Sequence, residues 1–85
     1  MDNKRYPAHE LVGKPIVTKE GKAIGEVKDI TFESRTGELV QLLLKNTTRH
    51  AELLGLEKNE KNFMVPFNSI IAIGDFIVVA EEDIV

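Results

Sequence analysis

Leu11-Val12-Gly13-Lys14-Pro15-Ile16-Val17-Thr18, followed by Gly21-Lys22-Ala23-Ile24-Gly25-Glu26-Val27-Lys28-Asp29-Ile30-Thr31-Phe32, is the stretch that decides the fold of this chain. Ile16, Val17 and Thr18 are β-branched and favour a strand. Pro15 stands at the start of that run, where its missing N–H costs no ladder hydrogen bond. Because Gly21 can adopt a positive φ, residues 19–22 predict a hairpin turn into a second strand.

The second strand, about Ala23 to Glu33, has an unusual apolar spacing. Ile24, Val27 and Ile30 are three residues apart, whereas a strand buries every second residue. Gly25 explains the spacing, because a β-bulge at a glycine swaps the faces of the strand. The β-branched content and the glycines favour this interpretation over a helix.

The remainder of the chain predicts further short strands with turns between them. Apolar residues are nearly continuous from Leu39 to Leu44, so we expect one face of that strand to pack in the core and the other to meet a partner or a covering loop. The other predicted elements are a strand over 38–45, helical turns over 49–54 ended by Gly55, a solvated mobile loop over 57–62, a strand over 63–66, a helical turn over 70–73 capped by Asn68 and Ser69, and a strand over 75–80.

Five or six short strands in 85 residues predict an all-β fold, a small β-barrel with a short helical turn near residues 68–73. Barrel closure removes the sheet edges that so small a domain would otherwise expose. We expect residues 1–10 to be a flexible lead-in, residues 11–80 to form the single barrel domain, and residues 81–85 to be an acidic tail.

The composition limits the classes of function. The chain has no cysteine, which excludes disulfides and thiolate metal sites. Its 11 basic and 14 acidic residues give a net charge of −3, which counts against a surface built to bind nucleic acid. No apolar run approaches the ~20 residues of a membrane span, and the polar N-terminus is unlike a signal peptide. We therefore expect a cytoplasmic protein without direct membrane insertion.

Polar residues that suit catalysis or metal binding do not form a recognisable motif. A zinc site needs three or four convergent ligands, and a serine nucleophile needs a sharp glycine-flanked turn. We expect structural roles, such as caps and backbone hydrogen bonds, for the candidates His9, His50, Ser34, Ser69, Asp29 and Asp75. The sequence accordingly predicts no cofactor, no metal and no enzymatic activity.

Two sets of residues are candidates for contact with partners. The basic residues Lys14, Lys19, Lys22, Lys28 and Arg35 surround the first hairpin, but interleaved acidic residues favour a mixed solvated surface over one that binds RNA or lipid. Apolar residues of the third strand, of the irregular region after it and of the segment 63–67 are the second set. For those after the third strand, plugging of the barrel end is an equally weighted alternative. The predicted partner-binding residues are Leu42, Leu44, Leu53, Leu54, Leu56, Phe63 and Phe67.

The order of these motifs resembles the PRC-barrel family, in its stand-alone archaeal form. The resemblance is carried by Leu11-x-Gly13-Lys14-Pro15-Ile16-Val17, Gly21-x-x-Ile24-Gly25-x-Val27-x-Asp29, Gly37-x-x-x-x-Leu42 and Val65-Pro66-Phe67-x-x-Ile70-x-Ala72-Ile73-Gly74-Asp75. It implies a barrel that docks on other macromolecules, often as a homodimer, and does not imply an enzyme.

The resemblance leaves two functions open. The first is a protein-binding adaptor that is tied to archaeal cell division and is recruited to the membrane by its partner. The alternative is a factor for RNA processing or ribosome maturation, since the C-terminal domain of the ribosome maturation factor RimM belongs to the same family. The family also includes the cytoplasmic domain of the photosynthetic reaction-centre H subunit, and we expect this protein to lack both the membrane helix of that subunit and the RNA-associated domain of the maturation factor.

Overall fold

The structure, a computed structural model, describes residues 8–59 and 62–84. Strands dominate this part of the chain. In order, the elements are α1 (Ala8–Leu11), β1 (Pro15–Thr18), β2 (Ala23–Phe32), β3 (Leu39–Lys45), α2 (Arg49–Leu53), β4 (Glu57–Asn59), β5 (Asn62–Pro66), a 3₁₀ turn (Phe67–Ser69), β6 (Ile70–Ile73), β7 (Ile77–Val79) and a second 3₁₀ turn (Glu81–Asp83). Residues 1–7 of the predicted lead-in lie outside the described part.

All of these strands belong to one sheet, in the order β4-β5-β3-β2-β1-β7-β6. The long strand β2 joins the two halves. Its first part pairs with β1, up to the pair Pro15 and Glu26, and its remainder pairs with β3 as far as Phe32 and Leu39. The pairing of β1 with β7 is parallel, and the other ladders are antiparallel. The sheet coils around one core, which confirms the predicted small all-β, barrel-like fold.

Two β-bulges explain the apolar spacing of β2. Ile24, Val27 and Ile30 are all buried. The register with β1 shifts at Ile24, beside Gly25, which confirms the predicted bulge. A second shift, at Lys28 in the ladder with β3, was not predicted. Each bulge returns the next apolar residue to the inner face, so a spacing of three residues becomes compatible with a strand.

The core lies on the inner face of the coiled sheet, and α1 and α2 each contribute one side chain to it. Aliphatic residues from seven elements and the segment after α2 make up this cluster. Its buried members are Leu11, Ile16, Ile24, Val27, Ile30, Leu42, Leu44, Ala51, Leu56, Val65, Ile77 and Val79.

The prediction of a helical turn over 70–73 was wrong in its placement. Residues Ile70–Ile73 form strand β6, and the helical turn is the preceding segment Phe67–Ser69. Ser69 caps nothing downstream, because its Oγ donates 2.7 Å back to the Pro66 carbonyl. Ile70 is already extended, with φ −77° and ψ 127°. Its β-branched neighbours also favour a strand.

The segment after β3 agrees with prediction in its first half only. The predicted helical turns are α2, and Gly55 follows with a φ of 72°, a conformation that glycine adopts without strain. The predicted loop over 57–62 is instead largely a hairpin, in which Glu57–Asn59 pairs with the start of β5. Residues 60–61 of that loop lie outside the described part. The strand β4 was not predicted because its residues are polar and lack an apolar alternation. Pairing with β5 stabilises it.

Candidate interaction surfaces

Three of the predicted partner-binding residues are core residues. Leu42 and Leu44 point inward from β3, and Leu56 packs in the same cluster. A buried side chain cannot reach a partner while the fold is intact, so the predicted partner surface is corrected at these positions. For Leu56 the burial agrees with the alternative given in the sequence analysis, that this residue plugs the end of the barrel.

The other four predicted residues reach the surface to different degrees. Leu53 is 74% exposed, the largest value among the exposed large apolar residues of the described part. Leu54 and Phe63 are half-buried and pack against the core. The Lys58 ammonium lies 4.9 Å from the centre of the Phe63 ring, a cation–π distance. Phe67 begins the first 3₁₀ turn and is also half-buried. These four side chains do not define one common patch.

A further apolar surface lies at the end of the β2–β3 hairpin and was missed from the sequence. Ile30 pairs with Leu42 and both are buried. Phe32 lies two residues beyond Ile30 and so points to the same inner face. Val40 is the extra residue of the bulge opposite it. Phe32 is 51% exposed and Val40 42%, because the hairpin continues past the core that covers its earlier residues.

The turn that closes this hairpin is well ordered by hydrogen bonds and carries charge. The Glu33 N–H donates 2.8 Å to the Glu38 carbonyl, and the Gly37 N–H donates 2.7 Å to the Glu33 carbonyl. The exposed Glu33, Arg35 and Glu38 therefore border the apolar pair. We call residues 32–40 the hairpin end. It has an apolar centre and a charged rim, which is the usual anatomy of a protein-binding patch.

A second surface surrounds the turn Glu81–Asp83, which we call the C-terminal turn. His50 Nε2 lies 2.9 Å from Glu81 Oε2, and Lys19 Nζ donates 2.7 Å to Glu82 Oε2. The hydrogen bond and the charge of Glu82 raise the pKa of Lys19. The hydrogen bond from Lys19 is also the main cause of the lowered pKa of Glu82. The C-terminal turn is thus held electrostatically to α2 and to the β1–β2 turn.

The lysines near the first hairpin do not form one basic face. Lys14 and Lys19 lie at opposite ends of β1, roughly 15 Å apart at the rise of an extended strand. The Lys14 ammonium donates 2.7 Å to the Gly74 carbonyl, and Lys19 is paired with Glu82. Lys28 is 3.5 Å from the side-chain oxygen of Asn62. This arrangement fits a mixed solvated surface better than a phosphate-binding patch.

Three of the polar residues singled out in the sequence, Asp29, His50 and Ser69, make structural contacts. Asp29 Oδ1 accepts a 2.8 Å hydrogen bond from the Ile30 N–H, so this carboxylate bonds to backbone within β2. Ser69 is buried and bonded to Pro66. Over residues 8–59 and 62–84, no three His, Asp or Glu side chains gather as a metal ion would require. The side chain of His9 lies outside the described part.

None of the helices in the described ranges is both long and apolar enough to span a membrane.

Comparison with known proteins agrees with the fold. The family model of the PRC-barrel domain matches residues 3–83. An uncharacterized protein of Methanocaldococcus jannaschii is 30% identical over 81 residues, which cover 95% of this chain and 88% of that protein. The family match spans the β1–β2 hairpin, the hairpin end and the C-terminal turn. The chain belongs to the PRC-barrel domain family.

Proposed function

We propose that this protein is a non-catalytic adaptor that binds other proteins through the hairpin end. The observation that carries the proposal is the exposure of Phe32, on the inner face of β2 beyond the core, and of Val40 in the bulge opposite it. The inner face buries Ile30 and Leu42 one step earlier along the ladder. The apolar surface of the barrel therefore extends into solvent at a defined place.

The hairpin end has the properties that favour protein binding. An aromatic side chain at the centre of a patch supplies much of the binding energy at many interfaces, and the surrounding polar residues exclude water. Phe32 is such an anchor, with the exposed charges of Glu33, Arg35 and Glu38 around it. The β2–β3 ladder holds the patch in place, so binding requires little ordering of the backbone.

The non-catalytic part of the proposal rests on the hydrogen bonds that the candidate polar side chains already make within the protein. Asp29, Ser69 and His50 each make a hydrogen bond that stabilises the fold or holds the C-terminal turn. A general base or nucleophile must be directed at a substrate. These groups are directed at backbone or at Glu81 instead.

The resemblance stated above supports the biological setting of the proposal. PRC-barrel modules dock on other macromolecules, and the relative in Methanocaldococcus jannaschii is archaeal. We extend the proposal to a cytoplasmic role tied to archaeal cell division, with recruitment to the membrane by the partner and with a second copy of the chain as one partner. The scattered lysines give the ribosome-associated alternative no comparable support.

Affinity capture from native lysate tests the proposal, with three tagged forms of the chain. Phe32→Ser removes the anchor, and Phe76→Ser is the matched control, because Phe76 is 54% exposed but lies in the β6–β7 turn. We expect a set of proteins that resists nuclease, is retained by the unchanged chain and by Phe76→Ser, and is lost with Phe32→Ser. Equal capture by all three forms would refute the hairpin end as the docking surface, and capture of ribosomal proteins that vanishes with nuclease would favour the alternative.

A further inference from the structure

The C-terminal turn is bound to the barrel in the way that a short peptide would be. Two of its three carboxylates, those of Glu81 and Glu82, contact the His50 ring and the Lys19 ammonium on two different elements, at 2.9 Å and 2.7 Å. Ile84, which follows, packs against the core cluster. The segment 81–84 thus combines consecutive acidic residues with a terminal aliphatic anchor.

The groups that receive this segment are positioned independently of it. Lys19 is in the β1–β2 turn, which is closed by a 2.9 Å hydrogen bond from the Gly21 N–H to the Thr18 carbonyl. His50 is in α2, whose first turn is capped by Thr48. Both elements are closed by hydrogen bonds of their own, none of which involves the C-terminal turn.

An apolar side chain lies next to the charged contacts. Leu53 is three residues after His50 in α2, and residues at this spacing share a helix face. Leu53 is 74% exposed, so the C-terminal turn leaves it largely uncovered. The surface formed by Lys19, His50 and Leu53 is therefore larger than the segment that occupies part of it.

The contacts that hold the segment are of a weak kind. The Lys19–Glu82 pair is exposed, and the His50–Glu81 pair is only partly buried. Ion pairs near the surface contribute little, because water and salt screen them. To displace the turn, a competing segment must replace these two side-chain contacts and the packing of Ile84 on the core.

We propose that the surface formed by Lys19, His50 and Leu53 is a binding site for an acidic peptide segment with an aliphatic anchor, and that residues 81–84 of the chain occupy it in cis. A partner with this pattern displaces the C-terminal turn. The site lies beside Ala23, at the start of β2, because the Thr48 hydroxyl that caps α2 bonds to the Ala23 carbonyl. Since the hairpin end is at the other end of β2, the two proposals stand independently.

The test uses the full chain and a peptide with the sequence of residues 80–84, acetylated and amidated so that no terminal charge is added. Binding is measured by titrating the chain with the peptide and following the NMR chemical shifts of the backbone amides of the chain. In the E81Q/E82Q variant the carboxylates that contact Lys19 and His50 are gone while Ile84 is kept. We expect this variant to bind the peptide with a Kd about three- to tenfold lower than the unchanged chain, the range expected for the loss of two weak surface contacts.

Controls separate the site from a general charge effect. E10Q/D75N removes two exposed acidic residues outside both the C-terminal turn and the hairpin end, and we expect it to bind the peptide like the unchanged chain. Lys19→Glu in the E81Q/E82Q background should raise the Kd at least threefold, since it places a like charge against the peptide.

A second measurement needs no variant. The Ile84 N–H donates 3.1 Å to the Glu81 carbonyl. If the peptide displaces the C-terminal turn, hydrogen exchange at Ile84 of the unchanged chain should accelerate when the peptide is added. Absence of binding to every form, equal Kd values for all forms, or unchanged exchange at saturating peptide would each overturn the proposal.

Discussion

Gly25 of β2 packs directly against the backbone that follows β3. A Cβ atom at position 25 would lie 3.0 Å from the Lys45 carbonyl oxygen and 3.3 Å from the Cα of Thr47. The close approach brings the segment that leads into α2 onto β2. There the Thr48 N–H donates a 2.9 Å hydrogen bond to the Ile24 carbonyl. Gly25 thus serves both the bulge in β2 and the contact between the sheet and the helix.

The first prediction concerns this contact. We expect Gly25→Ala to lower the free energy of unfolding by about 1–3 kcal/mol, because the backbone of residues 45–47 must move to admit a methyl group. Gly74→Ala is the matched control, since its Cβ would meet nothing within 4 Å. We expect the control to stay within about 0.5 kcal/mol of the unchanged chain. Urea unfolding measures the free energy of unfolding of both variants. Equal values for the two would show that the close approach does not exclude a methyl group at position 25.

The second prediction concerns Thr48, which links α2 to β2. Its hydroxyl donates 2.7 Å to the Ala23 carbonyl, and its oxygen accepts a 3.3 Å hydrogen bond from the Ala51 N–H as the helix cap. We expect Thr48→Ala to cost about 1–2 kcal/mol of unfolding free energy, because both hydrogen bonds are lost. Thr48→Ser keeps the hydroxyl and should recover most of that loss. If thermal or urea unfolding shows no recovery, the methyl group and not the hydroxyl is the important part.

The third prediction distinguishes core leucines from surface leucines. Leu42→Ala should destabilise the chain by about 2–5 kcal/mol, because it leaves a cavity between β2 and β5. Leu53→Ala should change the unfolding free energy by less than about 0.5 kcal/mol, because that side chain is mostly in solvent. Similar destabilisation by the two substitutions would contradict the burial described above.

The fourth prediction concerns the pH dependence of the Lys19–Glu82 pair. The pKa of Glu82 is lowered from its usual 4.5, so its stabilisation is present above that pH and is lost as the pH falls through the lowered pKa. The pKa of Lys19 is raised from its usual 10.5, so its stabilisation is present below that pH and is lost as the pH rises through the raised pKa. The pair therefore stabilises the fold in the window between these limits.

Lys19→Met tests this window. The variant should melt at a slightly lower temperature than the unchanged chain near neutral pH, and the difference should vanish in strong acid. Lys28→Met is the control, because the side-chain hydrogen bond of Lys28 is to the neutral amide of Asn62. A constant difference between Lys19→Met and the unchanged chain at every pH would rule out the ion pair as its cause.

The fold was largely predictable because its local signals agree with each other. Pro15 and Gly21 bound the first strand and its turn, and the three-residue spacing of Ile24 and Val27 required a bulge beside Gly25. The spacing of Val27 and Ile30 carried the same information about a second bulge at Lys28. That bulge was overlooked because no glycine accompanies it.

The surfaces were less predictable, because exposure depends on where the core ends. Leu42 and Phe32 have similar local patterns, yet only Leu42 is covered by β5 and the rest of the core. Nothing in the residues near Phe32 shows that the hairpin continues beyond its neighbours. The contact of His50 with Glu81 joins residues 31 positions apart, so it depends on the sheet order and not on a local motif.

Site-specific photo-crosslinking in the native cells tests the central claim most directly. A photoreactive phenylalanine analogue replaces Phe32 in one form of the protein and Phe76 in the control form, since both positions hold an exposed aromatic ring. The proposed function predicts a light-dependent adduct to another protein from position 32 and none from position 76. Absence of an adduct at position 32, or the same adducts from both positions, would contradict the assignment of the hairpin end as the docking surface.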